Sequence, residues 1–333
     1  MDTVPPYFID SVMRSLASNE RPWNTIYVPR SDQQELSGRW GRFRRKYRSE
    51  SGGLEVIYAP DLRTEWKFYY KLHGFDHIKT RTLSPEVVKE MSKSISSFKF
   101  SVKQMFHFQC WSLIPQMHPY FRELTVINPD DEEKVVRLLT WLDAPIKCFD
   151  ASHFKIDFEV HSNLVEKHPH FLQSFTSVKV RSLRQSLFLQ LVQRMTFRET
   201  LQSIHISSVP ERTSTNFLVD YFFSQSCRRL TVDFPDFHVV RNILSRWKTI
   251  NPRGLAAYKI FEGVGASPAD LNEIGIIGIP ISSIKVETLT VIEQKVVKRK
   301  NIKSIHRINH PVDKRSKIYL VSLGPFQSTL LFV

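Results

Sequence analysis

Glycine is scarce in this chain, 11 residues in 333, and cysteine is scarcer still, with three. So few glycines leave few loops able to cradle a phosphate and few left-handed turns. No Walker-type loop, G-x-G-x-x-G or G-x-S-x-G is present. Gly263-Val264-Gly265, ahead of Ser267-Pro268, lacks the third glycine and the lysine of a phosphate loop, so it reads as a turn into a capped helix. Cys110, Cys148 and Cys227 are odd in number and far apart. That excludes a disulfide framework and a cysteine zinc site, and it points to reduced thiols in a cytoplasmic or nuclear compartment. No run approaches the ~20 apolar residues of a membrane span. Val4 to Leu16 is broken by Pro5, Pro6, Asp10 and Arg14, so no signal-peptide core is expected there.

What the chain has is apolar mass and positive charge. Apolar residues make up 41% and aromatics 12%, with 24 phenylalanines, enough for a continuous core and against global disorder. The formal charge of +14 admits nucleic acid, acidic protein or anionic membrane as partner and selects none of them. The 12 histidines include His168-Pro169-His170 and the pair His306 and His310, but no carboxylate or cysteine stands at ligand spacing beside them. They read as core or solvated histidines, and no metal, cofactor or catalytic residue is expected. Asp130-Asp131-Glu132-Glu133 suits the first turn of a helix rather than acid–base work.

The spacing predicts a helix over Met1 to Leu16, with Val4, Phe8, Ile9, Val12 and Leu16 in one stripe. A second is predicted over about Asp32 to Tyr47, with Leu36, Trp40 and Phe43 on one face and Arg39, Arg42, Arg44, Arg45, Lys46 and Arg48 around the other. Leu54–Ala59 and Trp66–Leu72 form a predicted hairpin. Ser84-Pro85-Glu86 starts a helix whose buried face is Val87, Val88, Met91 and Ile95. Phe98–Phe108 alternates like a strand.

From about Pro119 the pattern becomes repetitive. Predicted strands at 121–127, 146–149, 154–160, 177–180, 201–209, 229–234 and 255–261 are interleaved with helices at about 128–142, 163–175 (weakened by Pro169), 182–195, 213–225, 235–247 and 267–270. With 154–160 counted in the same unit as 146–149, strand centres about 22 to 32 residues apart suit a leucine-rich-repeat-like array, in which stacked strand–helix units share a core that no unit could bury alone. No asparagine or cysteine recurs after each strand, so an ordinary α/β sheet with crossover helices is the structural alternative. After Gly278, alternation over Ser283–Val291, Ile302–Ile308 and Lys317–Val321 predicts a β-rich cap, with a turn at Asn309-His310-Pro311-Val312-Asp313. It carries a second basic cluster: Lys295, Lys298, Arg299, Lys300, Lys303 and Arg307. The expected organisation is a helical segment 1–50, a mixed region 51–118, a strand–helix array 119–280 and a cap 281–333.

The N-terminal pattern Met1-Asp2 then Val4-Pro5, with Phe8 and Val12, resembles a large nematode-expanded F-box-like family. Leu36-Ser37-Gly38-Arg39-Trp40 fits it too, as do His310-Pro311 through Asp313 to Ile318-Tyr319-Leu320-Val321. That family is similar to F-box proteins with F-box-associated or leucine-rich-repeat-like C-terminal regions. The resemblance implies that Val4, Pro5, Phe8, Ile9, Val12 and Leu16 dock on a Skp-type adaptor of a cullin ubiquitin ligase. Leu36 and Trp40 would match the last F-box helix, and a protein partner would bind the C-terminal region. The span 19–31, with Pro22 and Pro29 and few leucines, departs from the F-box pattern where its second helix should lie. Nucleic-acid binding through the two basic clusters is the alternative, since lysine and arginine neutralise phosphates and release counterions.

Overall fold

The computed structural model describes residues 11–12, 50–61, 65–103, 124–152, 164–184, 186–210, 213–233, 238–265, 277–296, 301–324 and 327–333. It is a mixed α/β fold with thirteen strands among those residues, in two compact units, Met1–Lys179 and Val180–Val333.

In the first unit, β1 (Gly52–Pro60) and β2 (Trp66–Gly74) form the predicted hairpin, paired antiparallel from Gly52↔Gly74 to Pro60↔Trp66. Gly74 sits at φ +73°, and a Cβ there would lie 2.7 Å from the Ser51 carbonyl oxygen, so the strand can end this way only on glycine. β3 (Ile95–Val102) runs parallel to β1, and β5 (Ile146–Ala151) parallel to β3. β4 (Thr125–Val126) pairs with β2, and β6 (Ser177–Val180) lies beside β5, giving the order β4-β2-β1-β3-β5-β6.

Two helices start where their caps predict. Ser84 Oγ accepts from the Val87 amide ahead of α1 (Pro85–Met91), and Asn128 Oδ1 accepts from the Asp130 amide ahead of α2 (Pro129–Thr140). Asp130, Asp131 and Glu132 occupy the first turn of α2, facing the positive end of its dipole. Pro169 splits the expected 163–175 helix into a helical turn at 164–167 and a short α3 (Pro169–Leu172). Ile95 begins β3 instead of extending the α1 face, because the chain turns at 92–94.

The core of this unit is aromatic. Phe100 lies 5.0 Å from Phe171, 5.6 Å from Phe149 and 5.9 Å from Phe175, ring centre to ring centre. Such pairs add roughly 0.5–1.5 kcal/mol each beyond area burial.

In the second unit, β7 (Ser203–Ile206), β8 (Arg229–Val232) and β9 (Lys259–Val264) are parallel. They alternate with α4 (Ser186–Thr196), α5 (Asn216–Phe223) and α6 (His238–Thr249). Beyond β9 the pairing is antiparallel, in the order β9-β13-β12-β11-β10, with β10 Ile277–Ile279, β11 Ser304–Asn309, β12 Lys317–Gly324 and β13 Gln327–Phe332.

One sheet face, with Phe261, Leu330 and Phe332, packs against α5 and α6: Phe222 is 5.6 Å from Phe261 and 5.0 Å from Phe332, and Trp247 is 6.1 Å from Phe332. The opposite face, with Ile260, Ile305, Tyr319, Val321 and Leu331, packs against Leu289, Ile292 and Val296. These last belong to α7 (Val286–Lys295) and its cap.

α7 corrects the expected strand at 283–291. The alternation there was broken, with a three-residue step from Val286 to Leu289, whereas Leu289, Ile292 and Val296 recur at helical spacing and bury one stripe. Val286, which a strand over 283–291 would turn to the same side as Ile284, is 76% exposed. The strand expected from Leu255 begins at Lys259, because Pro252–Gly254 forms a 3-10 turn and Tyr258 takes φ +60°. The expected strands at 104–108 and 154–160 and the helix at 267–270 lie outside the described residues, as do most of 1–50 and residues 121–123.

Each unit contains a buried lysine that closes a helix C-terminus. Lys147 of β5 donates to the carbonyls of Leu139 (2.9 Å) and Thr140 (2.8 Å), the last residues of α2. Lys259 of β9 donates to the carbonyls of Phe222 and Ser224 at the end of α5, both at 2.5 Å. Helix ends leave carbonyls without partners, and an ammonium satisfies them while matching the dipole. Phenylalanine rings flank both: Phe98 and Phe175 at 5.8 and 5.7 Å from Lys147 Nζ, and Phe222 at 5.4 Å from Lys259 Nζ.

Candidate functional site

Strand alternation gives each unit a second sheet face away from α1–α6, and polar side chains collect there. In the first unit, register puts Gly53, Glu55 and Ile57 of β1 beside Ser97, Lys99 and Ser101 of β3, and these beside Ile146, Cys148 and Asp150 of β5. Glu55 and Asp150 are both buried. Lys99 Nζ is 3.4 Å from Asp150 Oδ2, Lys103 Nζ is 3.9 Å from Glu55 Oε1, and His73 Nε2 is 4.0 Å from Glu55 Oε2. Burial pushes the Asp150 carboxyl up, but the Ser152 hydroxyl and amide, with the Lys99 and Lys179 ammoniums, hold it below the ordinary carboxylate value. Burial pulls the Lys103 ammonium down against the pull of Glu55.

In the second unit, Ser203 and Arg229 are register partners, as are His205 and Thr231, and Thr231 and Glu262. Arg229 donates Nη1–H to Glu262 Oε1 (2.5 Å) and Nη2–H to the Lys295 carbonyl (2.7 Å). The Thr231 hydroxyl donates to Glu262 Oε2 (2.7 Å). This network ties the end of α7 to β8 and β9. It also brings the Lys295 ammonium near Arg229 and Arg228. Burial first, and those two cations next, lower its pKa.

The groups that resemble chemistry are occupied structurally. Burial pushes the Cys148 thiol far up and the Cys227 thiol to about 12, so both stay protonated and unreactive at neutral pH. His306 lies in β11 and His310 in the turn after it, so they share no helix face. His310 Nδ1 accepts from the amides of Val312 (3.2 Å) and Asp313 (3.0 Å), which leaves Nε2 to donate to the Trp247 carbonyl (3.0 Å). It is a buried turn-former. Among the described residues, no group of three or more His, Cys, Asp or Glu side chains is placed to hold a metal, and no helix is long and apolar enough to cross a membrane.

Of the predicted docking stripe, Val12 alone is described, half-buried in a helical pair with Ser11; Val4, Pro5, Phe8, Ile9 and Leu16 lie outside the described residues. So do Arg39, Arg42, Arg44, Arg45, Lys46, Arg48, Lys298, Arg299 and Lys300. Lys295 ends α7, Lys303 is exposed just before β11, and Arg307 is half-buried on β11.

Sequence reasoning missed the two buried lysines and the Arg229–Glu262 pair. A signal for the first existed: Ile146-Lys147-Cys148-Phe149 and Tyr258-Lys259-Ile260-Phe261 share a lysine two before a phenylalanine at the start of a strand. The pair carried none, since its members are 33 residues apart.

No family model, no curated protein and no solved structure matches this chain.

Proposed function

We propose that this protein is a non-enzymatic protein-binding adaptor. The segment 1–50, through Val4, Pro5, Phe8, Ile9, Val12 and Leu16, docks on a Skp-type adaptor of a cullin ubiquitin ligase. The strand–helix units form an irregular leucine-rich-repeat-like array that holds a protein substrate. The chain supplies proximity, raising the substrate's effective concentration at a partner enzyme that transfers ubiquitin. One observation carries the binding half of this reading: β7, β8 and β9 run parallel, and on the face away from α5 and α6 the half-buried His205 and Thr231 stand in register beside the end of α7. Side chains at fixed strand steps are the kind of surface that repeat proteins offer to polypeptides.

The test mixes the intact protein with a purified Skp-type adaptor. A stable complex, lost in Phe8→Ala at unchanged melting temperature, supports the docking role; no complex, or one indifferent to Phe8, rejects it. Capture from nuclease-treated extract, with a cullin among the recovered proteins, supports the ligase assignment.

A second reading, association with nucleic acid, draws support from the chain's charge of +14 and from the nearness of Lys295 of α7 to the exposed Arg228 ahead of β8. It requires salt-dependent retention on an oligonucleotide, reduced when Lys298, Arg299 and Lys300 are neutralised. Absence of binding at low salt removes it.

A further inference from the structure

One edge of the unit Val180–Val333 combines exposed apolar tips with positive charge. β7, β8 and β9 run parallel, and the reversals through β13 bring β12 back into the direction of β9. The starts of β7, β8, β9 and β12 therefore share an edge. Phe197, 83% exposed, stands there in the turn between α4 and β7. Tyr258, 41% exposed, stands directly before β9 on left-handed backbone. Val312, 84% exposed, stands in the turn before β12. Four strand steps of about 4.8 Å separate β7 from β12, so the row spans ~19 Å.

These positions are built rather than loose. His310 holds both amides of the Val312 turn, and Arg253 Nε–H donates to Asp313 Oδ2 at 3.1 Å, tying that turn to the segment leading into β9. Exposed cations around the tips include Arg198, Arg228, Lys248, Arg253, Lys314 and Arg315. Glu199 is the exposed carboxylate in the Phe197 turn, and Asp313 is engaged by Arg253 and by the Arg315 amide.

We propose that this edge docks on the surface of an anionic lipid bilayer, with Phe197 and Val312 entering the headgroup region, Tyr258 at its boundary and the cations on the anionic headgroups. Apolar groups that enter the interface, with basic residues beside them, are the combination that holds proteins on anionic membranes. The three tips stand on separate segments at one end of the sheet, so they can enter a surface together. Base stacking requires ring faces, and Val312, the most exposed of the three, has none. The chain's charge of +14 adds long-range attraction to a negative leaflet. This docking is independent of the adaptor reading.

The test is sedimentation of the full chain with phosphatidylcholine vesicles containing about three parts in ten phosphatidylserine, against vesicles of phosphatidylcholine alone. Binding is expected to the anionic vesicles only. The double variant Phe197→Ser/Val312→Ser, whose sites are exposed, should melt like the parent and bind at least about tenfold more weakly. Three results overturn the proposal: no binding to anionic vesicles; equal binding by the double variant, which would be adsorption by charge alone; or vesicle binding absent while an oligonucleotide or polyglutamate is retained through Phe197 and Val312.

Discussion

The two units treat one sheet face alike and the other differently. On the first face, each buries phenylalanines against helices and sets a lysine, Lys147 or Lys259, under a helix C-terminus. On the second, the unit Met1–Lys179 buries Glu55 and Asp150 among Lys99, Lys103 and His73, whereas the unit Val180–Val333 lays α7 over isoleucine, valine and leucine. A buried charge must be paired or it costs several kcal/mol, while apolar contact contributes roughly in proportion to area at any pH. The contrast teaches that one alternating pattern supports two kinds of closure, one dominated by buried paired charges and one dominated by apolar contact beside the single Arg229–Glu262 pair.

The sharpest way to break this comparison is to damage each core separately. Phe100→Ala is expected to cost about 3–5 kcal/mol and Ile292→Ala about 2–5 kcal/mol. Hydrogen exchange should show β3 and β5 loosened by the first, and β9 and β13 by the second. Equal loosening of all four strands by either variant would dissolve the distinction between the units.

Lys147→Met and Lys259→Met keep the volume and leave two helix carbonyls without their partner, at an expected cost of about 1–3 kcal/mol each in urea unfolding. Burial also lowers the Lys147 pKa to about 8, against 10.5 ordinarily. Between those values the unfolded chain holds the proton and the folded lysine has released it, so raising the pH favours folding. That contribution is fully present above 10.5 and is lost as pH falls through 8. Parent stability relative to Lys147→Met should therefore rise from pH 8 to pH 10; a constant difference would show that burial does not shift this lysine.

Asp150→Asn is expected to cost about 1–2 kcal/mol at neutral pH, by unbalancing Lys99. The folded Asp150 carboxyl lies below its ordinary pKa, so its contribution is present above the ordinary value and is lost as pH falls through the folded one. The parent and Asp150→Asn should thus converge in acid, whereas Ile292→Ala should keep its deficit. Least of all, Asp220→Ala, which removes the exposed partner of Arg246, should shift stability by about 0.5 kcal/mol or less.

Much of the local structure was legible. The caps Ser84 and Asn128, the break at Pro169, the β6 bounds and the turn at 309–313 depend on residues within a few positions of one another, and short-range chemistry decides them. The helix α7 was not, because a broken alternation of valine, leucine and isoleucine fits a strand until something is known to lie beneath it. β10 and β13 were not assigned, since their partners, β11 for one and β9 and β12 for the other, are set by pairing across the sheet. Of the candidate site, the lysine at 295 was legible as charge, but its neighbours Arg228 and Arg229 were not.

The sequence by itself determined the alternation of strands and helices, the excess of positive charge, and the positions where helices start and chains turn, all of them consequences of propensity, periodicity and capping over short spans. Tertiary structure alone decided which lysines close which helix ends, that Arg229 meets Glu262, that α7 covers one face of its sheet, and that Phe197, Tyr258 and Val312 stand along one edge. These depend on strand order, and strand order follows from which buried surfaces fit one another across tens of residues, a quantity that no local window contains.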